Sequence, residues 1–146
     1  PYCKLFHKAL NDAIKNYGDR VLFDYKFLPL EIHPQANDAA LASACALEQG
    51  KFWEYADKLY ANQTGWANAN AIAKFKEYAK SLALDSAKFN ECLDSKKYQD
   101  KIDADKKEAD SFAISGTPGV FVNDQLQEGA ISYDQLKEAI EGELGK

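Results

Sequence analysis

Apolar residues recur at intervals of three and four near the start of the chain, which is typical of one face of an α-helix. The positions with this spacing are Cys3, Phe6, Leu10, Ile14 and Tyr17. Glycine often ends a helix, so Gly18 predicts where this one stops.

After Gly18 the helical spacing ends, and apolar and polar residues alternate instead. Val21, Phe23, Tyr25 and Phe27 would share one face of an extended chain, with Asp24 and Lys26 on the other. The pattern therefore predicts a strand over 21–27, which Pro29 would terminate.

From 36 to 112 the pattern is helical throughout and indicates four or five consecutive helices. Asp85 or Ser86 is expected to cap one of them and Ser95 the next. Acidic residues late in this segment are interpreted as a solvent-exposed helix face, because no glycine-bearing calcium loop surrounds them. These residues are Asp103, Asp105 and Glu108.

The last part of the chain returns to a mixed pattern. A loop over 115–119 leads to a short predicted strand at Val120–Val122, and Asn123-Asp124 suits a hairpin turn before a returning strand at 126–128. The stretch Ser132–Gln135 is a capping box that predicts a final helix.

Composition is that of an ordinary globular protein, with 46% hydrophobic and 28% charged residues. A net charge of -5 and a single arginine, Arg20, argue against a nucleic-acid-binding surface. No apolar run approaches the length of a membrane span. The three cysteines form an odd number, which leaves one without a partner within the chain.

Pro1-Tyr2-Cys3 places a cysteine at the start of the first helix, where the helix dipole stabilises a thiolate. The three residues match Cys-Pro-Tyr-Cys without its first residue. The chain also contains no methionine. We therefore expect an N-terminal truncation within the motif, with the reactive thiol immediately before Pro1.

Four stretches, in this order, resemble the DsbA-like thiol:disulfide oxidoreductases of the bacterial cell envelope, which have a thioredoxin fold. They are Pro1–His7, Leu28–Pro34, Gln49–Tyr55 and Gly116–Asn123. The resemblance implies an α/β, thioredoxin-like fold with a helical insertion, lacking the strand or strands before the active-site helix. The thioredoxin-like part would comprise 1–35 and 113–146, and the insertion subdomain 36–112.

The resemblance also implies roles for individual residues. Cys3 would resolve a mixed disulfide formed by the upstream cysteine, so Cys3 alone should give no disulfide-forming turnover. The alternative is a structural thiol. Pro1, Tyr2, Thr117 and Pro118 would contact substrate. Pro118 would follow a cis peptide bond, with a trans turn as the alternative.

Cys45 and Cys92 lie on separate predicted helices of the insertion. In an oxidising compartment they would form a structural disulfide if those helices pack together, and free buried cysteines are the alternative. His7, one helical turn after Cys3, is interpreted as a solvated or thiolate-neighbouring histidine. No metal site is expected, because no complete ligand set is present.

The implied function is thiol:disulfide interchange on secreted or periplasmic protein substrates, without metal or organic cofactor and without nucleic acid. Its redox partner could be membrane-borne, and the sequence does not fix whether it oxidises, reduces or isomerises. One alternative is a redox-inactive binding or adaptor module of the same fold. Another is a glutathione-dependent isomerase or transferase, a branch that generally lacks the second cysteine.

Overall fold

The computed structural model describes residues 1–67 and 70–145, apart from the side chain of Glu128, and leaves Asn68, Ala69 and Lys146 outside the described residues. The chain divides into two compact units, Pro1–Tyr25 with Ala113–Lys146 and Lys26–Phe112. Residues 26–35 therefore lie in the helical unit.

The described residues form eight helices and one hairpin in chain order: α1 (Tyr2–Tyr17), α2 (Ala36–Glu48), α3 (Phe52–Ala61), α4 (Gln63–Trp66), α5 (Ala71–Ser81), α6 (Ser86–Asp94), α7 (Gln99–Ser111), β1 (Gly119–Val122), β2 (Gln125–Glu128) and α8 (Tyr133–Leu144). None of these helices is both long enough and apolar enough to cross a membrane.

Helix α1 ends at Gly18, as the sequence predicts, because only glycine fits there. The Gly18 N–H donates to the Ile14 carbonyl at 2.9 Å, and a Cβ on Gly18 would lie 2.7 Å from that same oxygen. The end of α1 is therefore fixed by a close approach of backbone to backbone.

The core of the first unit lies between α1 and α8. Its buried members are Phe6, Ala9, Ala13, Tyr17, Leu136 and Ile140. Tyr17 donates a hydrogen bond to Glu141 Oε1 at 2.8 Å, and the amide of Asn16 donates to the hydroxyl of Tyr133 at 3.1 Å. Burial and the bond to Glu141 raise the pKa of Tyr17 to about 12.

The prediction of a strand over 21–27 is wrong: these residues form no regular element. Their burial nevertheless alternates, since Val21 and Phe23 pack against the core while Leu22 is 92% exposed. A strand requires a neighbour to complete its ladder of hydrogen bonds. The sheet of the described residues contains only β1 and β2.

The predicted hairpin is present, and each strand is one residue longer than the pattern indicates. Antiparallel pairing sets Phe121 opposite Leu126 and Val122 opposite Gln125. Asn123 in the turn has φ 54, a left-handed conformation that asparagine tolerates better than most residues. The capping box of Ser132 and Gln135 is also present at the start of α8.

The helical unit contains α2 to α7, more helices than the sequence pattern indicated. Its largest fully buried side chains are Leu41, Cys45, Tyr55, Phe75, Phe89 and Ile102. The Tyr55 hydroxyl donates to the Phe75 carbonyl at 2.9 Å, and burial raises the pKa of Tyr55. Polar groups inside this core are thus satisfied.

Within the helical unit, one of the two predicted helix caps is correct. The Asp85 carboxylate accepts from the backbone N–H groups of Ala87 and Lys88 at the start of α6. Ser95 does not begin the following helix: it ends α6, and its hydroxyl donates to the Cys92 carbonyl at 3.2 Å. Helix α7 begins four residues later, at Gln99.

The predicted solvent-exposed acidic face of α7 is only partly correct, because Asp105 is 4% exposed. Its Oδ2 accepts from the backbone N–H of Phe27 at 3.0 Å, and Lys101 donates to both carboxylate oxygens at 3.1 and 3.2 Å. Glu108, on the same helix, pairs with Lys26 at 3.1 Å. These two carboxylates hold residues 26–27 against α7.

Candidate functional site

Cys3 lies in the first turn of α1 and is the free cysteine of the chain. Pro1 caps the helix, and its carbonyl accepts from the Leu5 N–H at 3.1 Å. Cys3 is half-buried, whereas Pro1 is exposed and Tyr2 is 66% exposed. The thiol therefore lies at a helix start beside two residues that solvent can reach.

His7 lies one turn after Cys3 and is 7% exposed, so the interpretation of a solvated histidine is wrong. Its Nε2 atom is 3.4 Å from Nδ2 of Asn11, one further turn along α1. The signal for this burial was present in the sequence, because His7 falls beside Phe6 and Leu10 on the apolar stripe of α1.

Thr117 and Pro118 end the loop that precedes β1, and both are half-buried. The peptide bond between them is cis. Within the described part of the chain, the Thr117 backbone makes no hydrogen bond. This loop and Cys3 both belong to the first unit.

Cys45 in α2 and Cys92 in α6 form a disulfide with a Cα–Cα distance of 5.9 Å. Both residues are buried, at 0% and 5% exposure. The disulfide closes a stretch of 47 residues within the helical unit. Of the three cysteines, therefore, Cys3 alone carries a thiol.

Among the described residues, no group of three or more His, Cys, Asp or Glu side chains is arranged as a set of metal ligands. The candidate functional groups of the first unit are therefore the Cys3 thiol, the His7 imidazole and the backbone of Thr117.

The family model described as thioredoxin matches residues 1–142. The chain belongs to the thioredoxin family. The α1 helix, the β1–β2 hairpin and α8 are accordingly parts of a thioredoxin-like fold, and the helical unit is its insertion. Membership of this family supports thiol–disulfide chemistry in general terms.

This thioredoxin-family chain is similar to proteins with two different names, two antiporters and one disulfide bond formation protein. It is 35% identical to the Na(+)/H(+) antiporter NhaA 3 of Salinispora tropica, over 96% of this chain and 21% of that protein. It is 30% identical to the Na(+)/H(+) antiporter NhaA 1 of Mycolicibacterium gilvum, over 99% of this chain and 23% of that protein. It is 26% identical to disulfide bond formation protein D of Bacillus subtilis, over 99% of this chain and 68% of that protein.

The chain thus spans about a fifth of the length of the antiporter-named relatives that it matches. No solved structure matches it.

Proposed function

We propose that this thioredoxin-family chain carries out thiol:disulfide exchange with protein substrates, in the manner of the DsbA-like oxidoreductases. Cys3 is assigned the resolving role, beside a cysteine immediately before Pro1. The observation that carries this proposal is a free, half-buried thiol in the first turn of α1. The similarity to disulfide bond formation protein D over nearly the whole chain supports it.

The position of the substrate follows from the same proposal. Thr117 has backbone groups without hydrogen bonds in the described part of the chain, so an extended substrate segment could pair with them. Pro1, Tyr2 and Pro118 complete the proposed substrate contacts. No metal or organic cofactor takes part.

The proposed location is outside the cytoplasm, with secreted or periplasmic proteins as substrates and a membrane-borne protein as redox partner. The buried Cys45–Cys92 disulfide supports this location, because structural disulfides are characteristic of oxidising compartments.

The test uses two chains that each carry one added residue before Pro1, either cysteine (the Cys-extended chain) or serine (the Ser-extended chain). Each is mixed with a dithiol peptide and glutathione disulfide, and oxidation of the peptide is followed by mass spectrometry. We expect several turnovers per molecule from the Cys-extended chain and only the uncatalysed rate from the Ser-extended chain. Equal rates would contradict the proposal and favour a binding module of the same fold.

A further inference from the structure

The helical unit is built from one continuous stretch of chain, residues 26–112. Its helix α2 is buried throughout residues 39–46 and packs against α3, α5, α6 and α7, which all belong to the same unit. A helix that is covered on all sides forms the centre of a core. The helical unit therefore holds a complete core of its own.

The two ends of the helical unit are tied to each other by side chains of that unit. At its start, the Lys26 ammonium pairs with Glu108 at 3.1 Å, and the Phe27 backbone N–H donates to Asp105 at 3.0 Å. Both carboxylates lie in the second half of α7, the last helix of the unit. A compact stretch of chain whose ends lie close together is typical of a domain that can fold alone.

The first unit differs in both respects. It consists of two separate segments, Pro1–Tyr25 and Ala113–Lys146. Of the buried apolar residues that the structure describes, six belong to this unit and 22 to the helical unit. Joining two segments across a long unfolded stretch costs loop-closure entropy, and this cost falls when the stretch is already folded with its ends together. The first unit therefore gains stability from a folded helical unit.

We infer that the helical unit stays folded by itself, whereas the first unit folds only when the helical unit is folded and can open alone. The Cys3 thiol and the Cys45–Cys92 disulfide then belong to parts of the chain that unfold separately. This inference does not rest on the proposed function, because it concerns the stability of the two units whatever reaction Cys3 performs.

Separate opening protects the structural disulfide. If the Cys3 thiolate attacked Cys45 or Cys92, an S–S bond would form at Cys3, the original S–S bond would break, and the other cysteine would leave as a thiolate. Attack requires access to the sulfur, and both disulfide cysteines are buried, at 0% and 5% exposure. A first unit that opens alone therefore exposes Cys3 while the disulfide stays covered.

The chain offers a separate probe for each unit. Both tryptophans, Trp53 and Trp66, lie in the helical unit, so their fluorescence in urea reports the unfolding of that unit. A pulse of deuterium at each urea concentration, followed by peptide mass spectrometry, reports the protection of α1 and α8 in the first unit. We expect α1 and α8 to lose protection about 1 M urea or more below the fluorescence midpoint. Coincident transitions would overturn the inference.

The three cysteines give a further readout in the same urea series at pH 8. Free thiols are trapped with iodoacetamide, and peptide mapping identifies the labelled cysteine. Between the two transitions we expect label on Cys3 alone, and above the fluorescence midpoint we expect shuffled chains with label on Cys45 or Cys92. Shuffled chains that appear as soon as α1 and α8 lose protection would overturn the inference.

Two variants of the whole chain test the direction of the dependence, because each places an unpaired charge in one of the cores. Leu136→Asp, in the first unit, should abolish the protection of α1 and α8 in water and move the fluorescence midpoint by less than about 0.2 M urea. Ile102→Asp, in the helical unit, should abolish the native fluorescence and the protection of α1 and α8 together.

The matched control is Leu144→Asp, at a leucine on α8 that is 43% exposed, which should change neither transition. Loss of the native fluorescence in Leu136→Asp would show that the two units unfold as one, and would overturn the inference. Protection of α1 and α8 that survives the unfolding of the helical unit in Ile102→Asp would overturn it as well.

Discussion

Asp105 shows how a single buried carboxylate can join distant parts of a chain. It lies 78 residues from Phe27 in sequence, yet its Oδ2 accepts the Phe27 backbone N–H. Lys101 neutralises the charge and also lies 5.9 Å from the centre of the Phe27 ring. A buried backbone N–H is thereby paired, which is what makes the carboxylate important to the helical unit.

Asp105→Ala should lower the free energy of unfolding by about 1–3 kcal/mol, because the Phe27 N–H would stay buried without an acceptor. Urea denaturation followed by circular dichroism measures this change. The matched control is Asp103→Ala, an exposed carboxylate on the same helix, which should change stability by less than about 0.5 kcal/mol. Equal losses in the two variants would contradict this assignment.

Local spacing predicted more about single residues than about their partners. It placed Cys3 at a helix start and Gly18 at the helix end, because both depend on a few neighbouring residues. It could not predict the burial of Asp105, whose acceptor role depends on a backbone group far away in sequence. The same limit applies to Tyr17, whose partner Glu141 is on the last helix.

At the scale of elements, the segment 21–27 shows that an alternating pattern of apolar and polar residues can occur without pairing to a neighbouring strand. Alternation of apolar and polar residues correctly predicted which side chains would be covered, since Val21 and Phe23 pack on the core. It did not predict a strand, because a strand is defined by hydrogen bonds to a neighbour that the segment does not have among the described strands. The period of the apolar residues predicts which side chains of a segment are buried, whereas the hydrogen bonds of a strand depend on the tertiary structure.

Helices α2 and α6 are joined at several points along their length. The Cys45–Cys92 disulfide links them directly. Gln49, after α2, exchanges two hydrogen bonds with the backbone of Asp85 at the start of α6, at 2.8 and 3.2 Å. At the end of α2, Glu48 accepts from Lys97 and Tyr98, which follow α6, at 2.8 and 3.0 Å.

The joint replacement Cys45→Ala with Cys92→Ala should lower the free energy of unfolding by about 2–4 kcal/mol, because the unfolded chain regains the freedom that the disulfide removes. Thermal and urea unfolding of this double variant against the native chain measure the loss. Cys3→Ala, which leaves the disulfide intact, is the control. Unchanged stability of the double variant would show that the Gln49 and Glu48 contacts suffice.

The Glu48 contacts should make stability depend on pH. Hydrogen bonds from Lys97 and then Tyr98 lower the pKa of Glu48 from its ordinary value of 4.5. A carboxyl with a lowered folded pKa contributes stability above its unfolded pKa and loses it as pH falls through the folded value. Glu48→Gln should therefore be less stable than the native chain at pH 7, and the difference should shrink below pH 4.5.

The measurement for Glu48→Gln is the urea midpoint at pH 7, 5, 4 and 3. Glu31→Gln, at an exposed loop residue of the same unit, should follow the native chain at every pH. A difference between Glu48→Gln and the native chain that stays constant from pH 7 to pH 3 would contradict the assigned role.

At the scale of the whole molecule, the order of the elements could be predicted from the sequence, because each element has its own spacing of apolar residues and its own capping residues. The helical segment, the hairpin and the final capped helix were all predicted from local pattern. Membership of the thioredoxin family places these parts in a known fold with an insertion. Which thiol acts and on what substrate depends on groups that local pattern does not bring together.

The most direct test of the central claim asks whether Cys3 resolves mixed disulfides. The Cys-extended chain and its Cys3→Ser variant are mixed with a disulfide-bonded peptide, quenched with acid, and weighed intact by mass spectrometry. If Cys3 is the resolving thiol, the peptide adduct should accumulate in the Cys3→Ser variant and be released from the chain that retains Cys3. Adducts that persist equally in both chains would contradict the assignment.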